Sequence, residues 1–556
     1  MLVPAAALCE GTPHFRSPHL EQRAREQGVA AAWADALAGP VAQAVDEVDG
    51  DFAVALQEAS GRTILAVDRM GIRTLCYRVD GDRIRFARRA DELADPGQGI
   101  DPQSVFAYLY FHVIPSPATV YPNVFRLPPG HVAIFEGGRL EVRPYWSARF
   151  DERAPEDFQR LKAEFLDILR QSALRQLDGT MAACFLSGGT DSSTVAGMVG
   201  RVSGQAPSTY SIGFDAQGYD EMAYARIAAR HFGTRHHEYY VTPDDLARSI
   251  PSVAAHYDQP FGNSSALPAY YCAKMARDDG VTRILAGDGG DELFGGNSRY
   301  AKQRVFDAYR HVPGVLRSGL IEPLVERTPI RSTALGRKAA SYLEQARMPM
   351  PDRLGLYNLL LRLGPGEVLT SEFLAGVNQG GPLRAQQLVW QQAQCDSDLN
   401  RNLAFDWRYT LAENDLPKVC LTTELAGLSV GFPLLDRELL EFSMRLPVSY
   451  KLRGTRLRWF FKEALRGFLP DEIITKTKHG FGLPFGVWAQ QHQALRALAS
   501  DSLRSFGTRG VVQPAFIEAL FDRHLPAHPG YYGEMVWILM MLEQWLRHHA
   551  PDWRLP

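Results

Sequence analysis

Ser187-Gly188-Gly189-Thr190-Asp191-Ser192-Ser193 joins an apolar run, Ala182 to Leu186, to a stretch with helical patterning, Ser192 to Val199. A buried strand that passes through small residues into a helix start leaves backbone N–H groups unpaired and pointing outward, where aligned peptide dipoles favour an anion. Gly188 and Gly189 let the backbone approach a phosphate closely, Ser187 and Ser192 add hydroxyl donors, and Asp191 can hold a divalent cation against the same phosphates. A lone glycine pair would read as an ordinary capped turn. Strand, two serines, aspartate and helix in register predict a phosphate loop instead. It carries no lysine, so it is not a Walker P-loop.

Around this loop strand and helix patterns alternate: Cys184–Leu186, a helix, Thr209–Phe214, a helix from Glu221, His237–Val241, a helix from Asp244, and Ile284–Ala286. The alternation predicts an α/β unit with a parallel sheet and ligand loops at the C-terminal ends of its strands. Phe158, Leu161, Phe165 and Leu169 recur at helical spacing and mark its first helix. Before it, residues 1–147 read as a small β-rich domain with runs at Phe52–Leu56, Thr63–Val67, Leu75–Tyr77, Ile84–Ala87 and His131–Phe135. Residues 148–556 form the second domain, mostly helical beyond about residue 300.

Bulk properties exclude several classes. The 556 residues are 46% hydrophobic and 22% charged, and 60 Lys+Arg against 63 Asp+Glu leave a formal charge of −3. A large nucleic-acid surface is not expected. The longest late apolar run, Met535 to Leu542, is too short to span a bilayer and reads as a buried C-terminal helix. No basic signal-peptide start precedes the first run, and six scattered cysteines suit free thiols in a reducing cytoplasm, the expected location.

A second glycine-rich acidic loop, Gly287-Asp288-Gly289-Gly290-Asp291-Glu292-Leu293-Phe294-Gly295-Gly296, also follows a β-like run and precedes a helix-like one. Two aspartates from separate loops can clamp Mg²⁺ against a nucleotide's phosphates, and the alternating oxygen ligands of a calcium loop are missing. Further on, Lys476 and Lys478 precede His479-Gly480-Phe481-Gly482, where a lysine on a flexible stretch could neutralise pyrophosphate.

Together these residues resemble the asparagine synthetase family and its relatives, the β-lactam synthetases and lasso-peptide cyclases. SGGTDSS looks like the family's ATP-pyrophosphatase loop and YSIGF (Tyr210–Phe214) its adenine-side strand. YDEMAYA (Tyr219–Ala225), DQPFGNSSALP (Asp258–Pro268), GDGGDELFGG, GFPLLDRELLEF (Gly431–Phe442), LPVSYKLRG (Leu446–Gly454) and TKHGFGLPFGVW (Thr477–Trp488) follow in the family's order. The resemblance implies ATP and Mg²⁺ as cofactors. Asp191 and Asp291 would be the metal ligands and, with Lys478, the catalytic residues; Ser187, Gly189 and Ser192 would be phosphate contacts, with Gly188 and Ser193 also expected among the cofactor-binding residues. Ile212 and Gly213 would touch adenine, Gly287 and Asp288 the acyl-adenylate, and Lys478 the pyrophosphate. The implied fold is an adenine nucleotide α-hydrolase-like ATP-pyrophosphatase domain behind an Ntn-type β-sandwich.

VDGDFAVAL, VDRMGIRTLCYR and VFRLPPGHVAIFEGGRLEVRPYW resemble the family's class II glutamine amidotransferase domain from Val48 onward. That chemistry needs a cysteine directly after the initiator Met, whose own α-amine serves as base. Residue 2 is Leu, the Arg-Gly-Pro-Asp-Gly and Asn-Gly-Glu segments are missing, and Cys9 lies in an apolar run. The expectation is a degenerate domain that keeps its scaffold without its glutaminase chemistry. In the second domain Ser429 stands where the family has an acidic residue, and Cys420-Leu421 where it has Asp-Arg. An acidic residue there would help bind or deprotonate the nucleophile; Glu424, a turn and a half away on a helix, is a candidate substitute but reads first as an exposed carboxylate.

The expected reaction is AMP-forming amide ligation: a small-molecule carboxylate, aspartate or a related acid, becomes an acyl-adenylate that ammonia or an amine attacks. Ammonia would be free or come from a separate glutaminase. The alternatives are an isopeptide- or lactam-forming cyclase acting on a peptide or amine-bearing substrate, and a non-catalytic ATP-binding scaffold. A homodimer stays open.

Overall fold

The computed structural model describes residues 6–152, 157–177, 179, 182–310, 312–317, 322–323, 333–476 and 482–555. Its central element is a five-stranded, all-parallel sheet ordered Arg235–Val241, Ser208–Phe214, Ala183–Phe185, Arg283–Leu285, Ser429–Gly431. Four of the strands coincide with the expected runs to within two residues. The fifth, Ser429–Gly431, lies in a stretch read as helical.

The order of these strands decides where a ligand can sit. From Ala183–Phe185 the chain winds outward on one side through two further strands, then returns to lay Arg283–Leu285 against the opposite edge of the first. That reversal opens a crevice beyond the C-terminal ends of Ala183–Phe185 and Arg283–Leu285, the two strands that the glycine-rich loops follow. Helices cover the sheet. Phe158–Arg175 buries Leu161, Phe165 and Leu169, the expected stripe, and the Phe165 ring packs within 5.7 Å of the rings of Phe294, Phe442, Phe460 and Phe461.

The N-terminal part is built on a five-stranded antiparallel sheet, ordered Ala6–Gly11, Phe52–Gln57, Thr63–Val67, His131–Glu136, Arg139–Pro144. One face packs Ala53, Ala55, Leu65 and Val67 against a three-stranded sheet carrying Tyr77 and Ile84. Its other face packs Phe52 and Val54 against Trp33 of helix Val29–Ala36. That helix, its neighbours Pro18–Gln27 and Val41–Asp46, and strand Ala6–Gly11 escaped the sequence reading. Short helices that are alanine-rich, as at Val29–Ala36, or almost wholly polar, as at Pro18–Gln27, carry too few apolar positions to show a period.

The two halves share a hydrophobic cluster. Val105, Phe106 and Leu109 of helix Pro102–Phe111 pack with Trp537, Leu542 and Trp545 of the C-terminal helix Pro529–His549. The Tyr108 hydroxyl donates to the Ile538 carbonyl at 2.9 Å. Among the described residues no helix is long and apolar enough to cross a membrane. All six cysteines are free.

Candidate functional site

Strand Ala183–Phe185 delivers the chain into the 187–193 loop, and helix Thr190–Ser203 begins inside it. Gly188 adopts φ +70°, and a Cβ there would strike the backbone of Tyr224 and Ala225. Only glycine fits. Ser187 is tied across the loop: its N–H donates to Ser192 Oγ at 3.1 Å and the two hydroxyls lie 3.0 Å apart. The second loop approaches as closely. A Cβ on Gly287 would lie 2.7 Å from the Ser192 nitrogen, and Cβ atoms on Gly290 and Gly296 would strike the carboxylates of Asp191 and Asp291. The glycine spacing therefore serves to press two acidic loops together.

Between them lies a cavity of about 850 Å³, lined by Ser187, Gly189, Asp191, Ser192, Ile212, Gly287, Asp288 and Asp291 of the expected set. Gly188 sets the loop's shape without lining the cavity, and Gly213 is covered by the Tyr240 ring, 2.7 Å from where its Cβ would be. Ser193 differs from expectation. One residue further round the helix than Ser192, it faces the interior, fully buried, and its hydroxyl finds no hydrogen-bond partner. Lys478 lies outside the described residues.

Asp191 and Asp291 meet on one guanidinium. Arg458 Nη1 donates to Asp191 Oδ2 and to Asp291 Oδ1, each at 2.8 Å, and to Thr190 Oγ1 at 3.0 Å, while Nη2 reaches Asp191 Oδ1. The two carboxylates, completed by phosphate oxygens and water, suit Mg²⁺, which commonly takes one or two protein carboxylates beside its substrate's phosphates. Among the described residues no group of three or more His, Cys, Asp or Glu could hold a metal without such help.

Lys476, the first of the two lysines noted before the 479–482 stretch, lines the cleft and pairs with Glu221 at 3.0 Å. Other cleft residues were not singled out in the sequence: Arg458 and Lys462 come from the end of a hairpin and the helix after it, and Lys418 reaches Asp415 at 2.8 Å and Asp288 at 3.8 Å. Burial pushes the Asp288 carboxyl up to about 6, with Lys418 opposing and Asp415 and Asp191 adding to the rise. Burial also holds Glu292 well above the carboxylate range, reinforced by Asp291 and Asp415. The only available signal for Arg458 and Lys462 was their spacing of four in a basic segment.

Ser429 sits elsewhere. It is the first residue of its strand, paired with Arg283 at the sheet edge opposite the loops, and its hydroxyl donates to the Thr282 carbonyl at 3.3 Å. It lines a separate cavity of about 190 Å³ between the two halves, with Arg73, Arg88 and Cys420. An acid at this position would not touch the larger cleft between the two glycine-rich loops. Glu424 is no substitute: its helix ends at Leu425, the chain reverses at Gly427, and its carboxylate takes both guanidinium nitrogens of Arg88 at 2.8 Å. Helix Leu416–Leu425 separates the two cavities, with Lys418 and Val419 on the cleft side and Cys420, Leu421 and Glu424 on the other.

Comparison with known sequences places this cleft within a family match. The asparagine synthase profile matches residues 164–547 and a glutamine amidotransferase domain profile residues 32–146. Asparagine synthetase [glutamine-hydrolyzing] 1 of Bacillus subtilis is 24% identical over 510 residues, 90% of this chain and 78% of that protein. A putative asparagine synthetase [glutamine-hydrolyzing] 2 of Methanocaldococcus jannaschii is 33% identical over 282 residues, 49% of this chain and 54% of that one. Amidase chyE of Penicillium rubens is 23% identical, covering 85% of this chain and 76% of its own.

Proposed function

We propose, for a chain that belongs to the asparagine synthase family, that the cleft binds Mg²⁺-ATP and converts a substrate carboxylate into an acyl-adenylate for attack by ammonia or an amine. As a member of that family the chain is a carbon–nitrogen ligase enzyme that depends on ATP. The observation that carries the finer reading is the meeting of Asp191 and Asp291, from two loops at the reversal point of the sheet, on a single Arg458 guanidinium.

A carboxylate is a poor electrophile until its oxygen becomes a leaving group. Its attack on the α-phosphorus of ATP expels pyrophosphate, and the site's task is to meet the negative charge that leaves. The helix start at Thr190 presents backbone N–H groups, Ser187 and Ser192 hydroxyls, and Arg458, Lys462 and Lys476 supply positive charge from the facing wall. Lys478 belongs in the same role. Asp191 and Asp291 would hold Mg²⁺, which when bound neutralises the phosphates beside the reacting phosphorus. For the second step Asp288 is suited to accept the amine's proton, because its carboxyl, pushed up to about 6, is both ionised and basic near neutral pH.

We assign residues 1–147 to a glutamine amidotransferase-like domain of Ntn-type sandwich and 148–556 to the ATP-pyrophosphatase domain. The first is proposed to generate no ammonia of its own. Supporting this, Cys9 pairs with Val54 in the middle of a strand and burial pushes its thiol up to about 11; burial raises the Cys76 thiol further still. Neither is an activated nucleophile. The nitrogen then comes from free ammonia, a separate glutaminase or an amine.

ATP/pyrophosphate exchange on the purified protein tests the first step. Asp191→Ala is expected to lower exchange by about 10² or more, the usual cost of a lost electrostatic contact to the developing charge. Exchange at the wild-type level would refute the assignment. AMP release with aspartate plus ammonium, and then with amine-bearing peptides, identifies the nucleophile.

A further inference from the structure

The cation that joins the two loops is part of the protein. Arg458 Nη1 lies 2.8 Å from an oxygen of Asp191 and 2.8 Å from one of Asp291, and Nη2 takes the second oxygen of Asp191. The side chain is 6% exposed, its guanidinium carbon sits 4.1 Å from the Phe461 ring centroid, and Nε is buried without a hydrogen-bond partner. Its backbone is left-handed, φ +55°, between the hairpin Leu452–Leu457 and helix Trp459–Ala464. A non-glycine residue held in that conformation is uncommon and marks a constraint imposed by its surroundings. The constraint here aims the guanidinium at the carboxylates.

We infer that Arg458 is a resident competitor for the metal: its guanidinium and a divalent cation are alternative partners of the same Asp191 and Asp291 oxygens. The metal therefore enters only together with nucleotide, whose phosphates take over the guanidinium. This rests on the reading of the cleft as a Mg²⁺-ATP site. A divalent cation on those oxygens would lie within a few ångströms of the guanidinium, a repulsion that stays large even at an effective dielectric of about 20. Phosphate relieves it from both sides. Its oxygens complete the metal's coordination and accept the planar fork of Arg458, for which guanidinium is better matched than ammonium. Arg458 is thus a gate against premature metal loading, and between the loops it also serves as the counter-charge that keeps two carboxylates close.

The test is a Mn²⁺ titration of the full chain without nucleotide, with unbound Mn²⁺ followed by its paramagnetic resonance signal, on wild type, Arg458→Gln and Arg458→Lys. Circular dichroism checks that each variant folds. Arg458→Gln is expected to bind Mn²⁺ roughly tenfold or more tightly than wild type. Arg458→Lys, whose ammonium cannot span both carboxylates as a fork, should fall between. Equal or weaker Mn²⁺ binding by Arg458→Gln overturns the inference; if that variant does not fold, the absence of any gain in Arg458→Lys does so. A parallel Mg²⁺-ATP binding measurement on wild type separates the two claims. Failure to bind would overturn the nucleotide reading, and with it the takeover by phosphate, while the Mn²⁺ contrast would still decide whether Arg458 competes for the carboxylates.

Discussion

Gly188 and Gly204 have nearly the same backbone, φ +70° and +66°, in very different surroundings. A Cβ on Gly188 would strike the Tyr224–Ala225 backbone, whereas one on Gly204 would meet nothing within 4 Å. Gly204→Ala should cost about 1 kcal/mol, the conformational penalty alone. Gly188→Ala should cost about 2 kcal/mol or more and abolish nucleotide binding, since the loop must move. Urea denaturation and nucleotide titration of the pair check this. At Asp288 the expectation concerns pH. Its carboxyl is raised by burial to about 6, so the folded state holds a proton that the unfolded state releases between the ordinary carboxylate range and pH 6. Stability is then lost as pH rises through that window, and Asp288→Asn should be about 1–3 kcal/mol more stable than wild type at pH 8, with no such gain below pH 4. The amide-forming rate of wild type should climb through pH 6, and the variant should lose that limb. Both residues were legible in the sequence because the requirement is local: a glycine where one loop turns, and an acid directly between two glycines, Gly287 and Gly289, in the other. Arg458, Lys418 and Lys462 were not, because three-dimensional folding alone brings a hairpin end and a helix face against the loops.

Elements rather than residues hold the two halves in register. The segment Trp407–Asp415 is wound as a wide π-helix between helices Asp398–Asp406 and Leu416–Leu425, and it faces two ways. Trp407 donates to the Glu292 carbonyl on the cleft side at 2.9 Å. Glu413 accepts from Arg126 at 2.9 Å and from the Ser116 hydroxyl at 2.7 Å, and it also receives Arg408. Glu413 is buried between two guanidiniums, so Glu413→Gln leaves Arg126 and Arg408 facing each other and should cost about 3–5 kcal/mol. The Arg88–Glu424 pair crosses the same interface but is about a third exposed at each end. Arg88→Ala should cost about 1 kcal/mol or less, and that little should fade with salt. Chemical denaturation at two salt concentrations measures both. Nothing in the sequence announces this segment, since one extra residue per turn blurs the 3.6-residue period that helical reading relies on. Strand Ser429–Gly431 was hidden for a related reason: three residues that include a glycine cannot establish an alternation.

Across the whole molecule the strand–helix alternation from Phe158 to Leu285 was plain, since the inner parallel strands are buried on both faces and read as short apolar runs, while the edge strand Arg235–Val241 showed only as the aromatic stretch at its C-terminal end. The association of the halves was invisible, because it is made by helix faces more than four hundred residues apart, such as Tyr108 on Ile538. That association has a thermodynamic consequence. Trp33 reports on the core beneath the N-terminal antiparallel sheet, and Trp537 and Trp545 on the cluster that both halves share. All three are almost completely buried. Two domains joined only by a linker would unfold separately, whereas a shared core makes exposure of either half's apolar surface depend on the other. Thermal unfolding followed by tryptophan fluorescence should therefore give one transition in wild type and one in Trp33→Phe, where the smaller core side chain lowers the midpoint of the whole molecule, the C-terminal tryptophans included. Mg²⁺-ATP at about a hundred times its dissociation constant should add about 2.7 kcal/mol and shift that transition as a unit, although the cleft proposed for it is lined only by residues of the second half. Two resolved transitions, or a nucleotide shift confined to the C-terminal signal, would mean that the shared cluster does not couple the halves.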